Sequence, residues 1–214
     1  MDGWDMREHR VLLAKELDEA GCYRLLSGLV VPRPIAWVST VDSEGTPNLA
    51  PFSFFTCASL VPPMLVIAIE PRMGEKKDTL RNIEETGDFV VNVASEDLVR
   101  PVVISAVDFP PGQSEFDEAG LTLAPSRLVR APRVAEAPAS MECRLERLVR
   151  VGSGPHTLVI GEIVAWQVDP NVLEPTGRVN FQALRPLGRL AGDLYVKCHD
   201  LISEPRQDWR KDTY

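Results

Sequence analysis

The run MLVIAIE at residues 64–70 is closed off by Pro62 and Pro63 on one side and by Pro71 on the other. Proline breaks a helix interior and is kept out of central strands, so the segment is confined to one short element. It is too short for a typical helix and rich in β-formers, which makes it a buried strand. Comparable runs recur along the chain. IAWVSTV (35–41) is followed by the turn residues Asp42, Ser43, Glu44 and Gly45 and an extended segment at 47–53, the pattern of a hairpin. FVVNVA (89–94), the alternating stretch 139–151 and HTLVIGEIVAWQV (156–168) complete about six strands, with Gly161 a bulge or a point of close approach.

Helical spacing is confined to the gaps. It predicts a helix over 7–21 stopped by Gly21, a short turn at 23–26, and a helix over DTLRNIEETG (78–87) closed by Gly87. Another is expected over 95–105, where Pro101 requires a break or a late start. Residues 107–138, with Pro110, Pro111, Pro125, Pro132 and Pro138, read as a long excursion carrying one helical turn at 116–119. Such excursions often cover sites. No βαβ rhythm is sustained, so the expected fold is mainly β (α+β), a Greek-key β-barrel with peripheral helices.

A chain of 214 residues fits one domain, taken here as 1–198 with a polar tail at 199–214. Its net charge of −8 makes nucleic acid a poor partner. The apolar runs are far shorter than a bilayer span, and the first residues are acidic rather than basic then apolar. These features predict a soluble cytoplasmic protein with no signal peptide and no membrane partner. Cys22, Cys57, Cys143 and Cys198 form no C-x-x-C pair and have no histidine at ligand spacing, so reduced thiols and no metal site are expected. There is no G-x-G-x-x-G, Walker A, G-x-S-x-G or H-E-x-x-H motif, which removes most hydrolase and metalloenzyme readings.

Two stretches could carry chemistry. Asn48, Leu49, Ala50, Pro51, Phe52 and Ser53 combine small polar groups with aromatics on an extended backbone, suited either to a planar ligand or to an ordinary strand with Phe in the core. Lys77, Asp78 and Thr79 open the helix at 78, where unpaired N–H groups favour an anion. Asp78 opposes a phosphate there unless its carboxylate turns inward as the N-cap; a plain capped helix start is the other reading.

Together, RPIAWVST, NLAPFSFF, PPM before a strand, KDT before a helix followed by FVVNVA, and the late RPLGRLAGDLY resemble the flavin reductase-like family of FMN-binding split barrels, in its flavoredoxin-type branch. The resemblance covers roughly residues 23–197. It implies a six-stranded Greek-key split barrel, a homodimer and one FMN per subunit. By position, Arg33, Ser39, Thr40 and 48–53 would contact the flavin, and Lys77 and Thr79 its phosphate. Arg185, Arg189 and Tyr195 belong to the closing motif, with Arg189 carried over as a cofactor contact. His156 matches a histidine often found close to the flavin; a lone histidine beside a strand is otherwise a structural residue.

The implied function is an oxidoreductase in which FMN takes a hydride from NADH or NADPH and passes electrons to free flavin, to a monooxygenase partner or to another acceptor. With no Rossmann fingerprint, the nicotinamide would stack on the flavin. The alternatives are a flavoredoxin-like electron carrier reduced by another protein and a cofactor-free structural barrel.

Overall fold

The computed structural model describes residues 8–71, 74–110, 113–154 and 156–205. Helix α1 (Glu19–Leu29) precedes strands β1 (Arg33–Pro34), β2 (Ala36–Val41), β3 (Pro47–Phe52), β4 (Phe55–Leu60) and β5 (Pro63–Ile69). Helix α2 (Asp78–Thr86) and β6 (Asp88–Val93) follow, then α3 (Val99–Ile104), α4 (Glu115–Glu118), β7 (Leu123–Ala124) and β8 (Arg133–Val134). The chain continues through β9 (Ala139–Arg150), β10 (Thr157–Val168), α5 (Phe181–Leu184), β11 (Leu187–Arg189) and β12 (Tyr195–Lys197).

The main sheet runs β3-β2-β6-β9-β10-β5-β4, with antiparallel pairing throughout. Its two edges, β3 and β4, are consecutive in the chain and joined only by Ser53 and Phe54. Seven flat strands would hold those edges about 29 Å apart, whereas the link reaches about 11 Å, so the sheet must roll. The two edges are not neighbours in the hydrogen-bonded order. The sequence pattern gives six strands and the sheet has seven. The additional one is β4, which is mostly exposed and so lacks the apolar alternation that marks a strand.

Rolling creates an inside and an outside, and β2 is buried on both. Ala36 and Val38 join Phe52, Ile67, Phe89 and Val91 in the inner core, which Leu80 and Ile83 of α2 close. Ile35 and Trp37 face the other way, into a cluster with Leu49, Leu98, Val102, Phe116 and Val134. The excursion therefore covers the outer face of the sheet, with Phe116 of α4 as its anchor. Successive strand residues point to opposite faces, so a strand covered on both reads as a continuous apolar run.

At the β10 bulge, a Cβ on Gly161 would fall 2.3 Å from Phe89 Cζ, so the glycine serves both as a bulge and as a close-approach point. Glu142, wholly buried in β9, accepts hydrogen bonds from the backbone N–H groups of Arg127 (2.9 Å) and Leu128 (2.6 Å). Burial alone would raise its pKa, but those bonds and the Gln167 amide hold it below the usual carboxylate value.

The first helix departs from the expected 7–21. Among the described residues before Asp18 a single 3₁₀ turn forms, at Ala14–Glu16, and α1 begins just before the glycine expected to end a helix. The Asp18 carboxylate accepts from the Gly21 N–H at 2.7 Å, and this cap fixes the start. Residue 7, where the expected helix opens, lies outside the described residues, as do 206–214 of the expected tail. Pro101 falls in the first turn of α3, the late start that its missing N–H permits.

Candidate functional site

Edge strand β3 and the first turn of α2 form one wall of a cavity. The register pairs Asn48, Ala50 and Phe52 with Thr40, Val38 and Ala36. The Leu49 N–H points the other way and donates to Glu115 Oε2 at 3.2 Å. Pro47 and Pro51 share that outward orientation and have no N–H, so among these three residues the outer edge offers Leu49 as its one backbone donor.

Asn48 reaches across this edge. Its Nδ2 donates to Thr79 Oγ1 at 2.9 Å, while Asn82 Nδ2 donates to Thr40 Oγ1 at 3.1 Å. Thr79 is 1% exposed, and accepting from Asn48 leaves its O–H to donate. Lys77, the N-cap of α2, holds its ammonium 5.3 Å from the Phe52 ring centroid, within cation–π range. Lys76, Lys77 and Arg81 line this end of the cavity together with Glu75 and Asp78, with Lys76 paired to Glu84 and Arg81 to Asp78; the cavity volume is about 460 Å³. The opposite wall comes from Ser105 to Phe109 and from Glu115. Trp37 Nε1 donates to Ser105 Oγ at 2.9 Å and fixes the start of that segment. Burial raises the Glu115 pKa against the hydrogen bond from Leu49, and Asp78 and Asp108 push it the same way as burial.

Asn48, Ala50, Pro51, Lys77, Asp78 and Thr79 are thus brought together. The other expected residues are placed elsewhere. Leu49 and Phe52 point into the two cores, although the Leu49 N–H reaches the cavity edge. Ser39 and Thr40 are fully buried and do not line the cavity. The Ser39 hydroxyl bonds the Pro132 carbonyl and the Asn92 amide, while Thr40 supports Asn48 and Asn82 from behind. Asp78 is not the N-cap. It sits in the first turn, exposed, and pairs with Arg81.

A second, apolar cleft of about 510 Å³ opens beyond Ser53, lined by Leu26 of α1, Val30 just after it, Phe54, Phe55, Val66 and Leu158. Arg33 lies at its floor, 6% exposed, with its Nε donating to Ser53 Oγ at 3.2 Å and its other nitrogens to the carbonyls of Ser27, Val30 and Leu190. Burial lowers its pKa. Arg189 lines neither cavity; its guanidinium stacks over Tyr195 at 4.5 Å. His156 lines neither, and stands just before β10 with Nε2 3.6 Å from Glu70 Oε1. The register keeps it near the cleft: Leu158 pairs with Ala68, whose N–H bonds the Phe54 carbonyl at 2.8 Å. A larger hollow of about 560 Å³ near α5 contains none of these residues, and its Arg185 is already engaged by Glu96 and Asp97.

Sequence reasoning missed Glu115. It belongs to a four-residue helix and lies 66 positions from its partner Leu49, so no local pattern marks it. The donor set nevertheless suits a flavin mononucleotide. A cationic helix start and the Thr79 hydroxyl fit a phosphate, polar strand edges fit the ribityl chain, and apolar surface beyond Ser53 fits a ring system.

Residues 27–187 match the model of the flavin reductase like domain. An uncharacterized protein of Aquifex aeolicus is 42% identical over 186 residues, which span 86% of this chain and 94% of that one. The structure is similar to nitrilotriacetate monooxygenase component B from Bacillus cereus, with a TM-score of 0.88 and 35% identity over 93% of this chain and all (100%) of the other. It is similar also to the 2-nitrobenzoate 2-nitroreductase NbaA of Pseudomonas fluorescens, with a TM-score of 0.85 and 33% identity, covering 94% and 98% of the two chains. A Shewanella frigidimarina protein with a split barrel domain shares the fold at a TM-score of 0.80 and 23% identity, over 90% and 96%. The matched span contains β3, the start of α2 and the cavity between them, and the chain belongs to the flavin reductase-like domain family.

Proposed function

We propose that this protein is an FMN-dependent oxidoreductase that accepts a hydride from NADH or NADPH and delivers electrons to flavin, to a monooxygenase component or to another acceptor. The observation that carries the reading is the cavity in which Lys77, Thr79 and Asn48 converge beside the edge of β3. Lys77 and the Thr79 hydroxyl hold the phosphate, the edge from Asn48 to Pro51 orients the ribityl chain, and Ser53 with Phe54 guides the ring toward the apolar cleft. Bound FMN supplies the two-electron acceptor chemistry. The chain's own contribution is to bind and orient, and to exclude water at the cleft through Phe54, Phe55 and Leu26. His156 acts beside the ring as a positioning or electrostatic group.

The fold reading extends to a Greek-key split barrel of six strands, with β4 added at one edge, in a single domain over 1–198. The protein works as a homodimer in the cytoplasm, and exposed apolar side chains on α1 support the dimer. The resemblance to a monooxygenase component B supports a monooxygenase as the electron acceptor. Steady-state oxidation of NADH and of NADPH by the FMN-loaded protein tests the activity. Turnover with either nucleotide supports the oxidoreductase; FMN retention without turnover supports the flavoredoxin-like carrier instead.

A further inference from the structure

Glu115 enters the cavity from the excursion, on a helix that Phe116 anchors to the outer face of the sheet. The Glu115 carboxylate faces the outer edge of β3. The carbonyls of Pro47, Leu49 and Pro51 point away from β2, because N–H and C=O of one strand residue lie on the same side and the Leu49 N–H is turned outward. Two of these three residues are prolines with no N–H, and the third gives its N–H to Glu115. Of these residues Pro51 lines the cavity, and with its carbonyl and the Glu115 carboxylate as acceptors this edge asks its ligand for donors. At the far end Lys76 is paired with Glu84 and Arg81 with Asp78, so an anion there would meet Lys77, the Thr79 hydroxyl and the first N–H groups of α2.

A molecule that meets both demands has a phosphate at one end and hydroxyls next to it. We infer that Glu115 determines specificity by accepting hydrogen bonds from the hydroxyls of the ligand's polyol chain, so the site selects a phosphorylated polyol and not the phosphate or the ring alone. This inference rests on the flavin reading above and assigns to the excursion a direct part in ligand choice. Carboxylates are strong acceptors for hydroxyl donors, and a partly buried one loses more when its donor is absent.

Equilibrium binding of three flavins separates the roles: FMN, riboflavin, which keeps the ribityl chain without phosphate, and lumiflavin, which has neither. Glu115→Ala is expected to weaken FMN and riboflavin alike by about tenfold and to leave lumiflavin unchanged. Glu115→Gln, whose amide oxygen still accepts from a hydroxyl and from Leu49, is expected to recover most of the loss at unchanged thermal stability. Tighter FMN binding by both variants with riboflavin unaffected would mean that Glu115 opposes the phosphate, and would overturn the inference. Equal losses for all three flavins would overturn it too, because Glu115 would then act only through the position of β3. A wild-type protein that binds none of the three overturns the flavin reading itself, whereas normal wild-type binding that Glu115→Ala leaves unaltered overturns only the role of Glu115.

Discussion

The Asn48 side-chain amide donates to the Thr79 hydroxyl at 2.9 Å, which fastens the edge strand to the first turn of α2, just after Lys77. Replacing Asn48 with Ala removes that tie at a cost of about 1 kcal/mol in stability, read from the urea midpoint. FMN and riboflavin should both bind less well, since strand edge and helix start lose their fixed spacing. Lys77→Ala should behave differently. It would remove the proposed charge-assisted contact to the phosphate, so FMN should weaken by roughly tenfold to a hundredfold while riboflavin hardly changes. Equal loss for both flavins would mean that Lys77 acts through its contact with Phe52.

His156 stands near the apolar cleft, beside Glu70 and outside the lining of both cavities. His156→Asn keeps a hydrogen-bonding edge and removes the ionisable ring. The variant should retain FMN and show only modestly slower reduction by the nicotinamide under anaerobic stopped flow. A loss of the 10² to 10⁴ typical of a general acid would make His156 catalytic. An unchanged rate with a large drop in melting temperature would make it a structural residue.

Glu96 ties the end of the described chain to the domain. Its side chain is 3% exposed, with His199 Nδ1 at 2.6 Å, Arg185 at 2.9 Å and Lys197 at 3.5 Å. The hydrogen bond with His199, opposed by burial and joined by the bond and charge of Arg185, lowers the Glu96 pKa to about 2. A carboxyl whose folded value is depressed contributes stability that is fully present above its unfolded value, about 4.3, and is lost as pH falls toward the folded one. Stability should therefore decline between about pH 4 and 2, and Glu96→Gln should lower neutral stability and flatten that part of the profile. Identical acid slopes for wild type and variant in urea titrations would remove Glu96 from the account.

Tyr23 (55% exposed) and Leu29 (76%) of α1, with Val30 (58%) at its C-cap, leave exposed apolar surface beside the cleft. A homodimer that covers it should bury well over about 1,000 Å². Light scattering of the FMN-loaded protein at micromolar concentration is expected to give twice the 23.7 kDa of one chain, and Leu29→Asp to shift the mass toward the monomer. A wild-type mass near 23.7 kDa would contradict the dimer.

Strands announced themselves in the sequence where burial leaves a pattern. IAWVSTV carries no alternation with charged residues because β2 is buried at every position, Ser39 and Thr40 included, and Gly161 is legible as a bulge because a glycine inside a strand run has few other uses. β4 was not legible, since Thr56, Cys57 and Ala58 are exposed and carry no alternation. The first helix was misplaced because the residues before Asp18 show helical spacing but form only one 3₁₀ turn, and the Asp18 cap, a single hydrogen bond, sets the start. Within the site, Lys77 and Thr79 could be found from a helix start following a buried strand. Ser39 and Thr40 could not be separated from flavin contacts by type, because small hydroxyl residues serve equally well inside a buried network. Glu115 depended on tertiary packing alone.

We propose that the cavity between β3 and α2 seats FMN for reduction by a nicotinamide. The most direct test is the visible absorption spectrum of the purified protein after incubation with FMN and removal of unbound flavin, followed by anaerobic addition of NADH and, separately, NADPH. The predicted result is a yellow protein with the flavin retained on it, whose visible band bleaches on addition of at least one of the two nucleotides. A colourless protein would contradict flavin binding itself, and a yellow one that neither nucleotide bleaches would contradict the proposed activity.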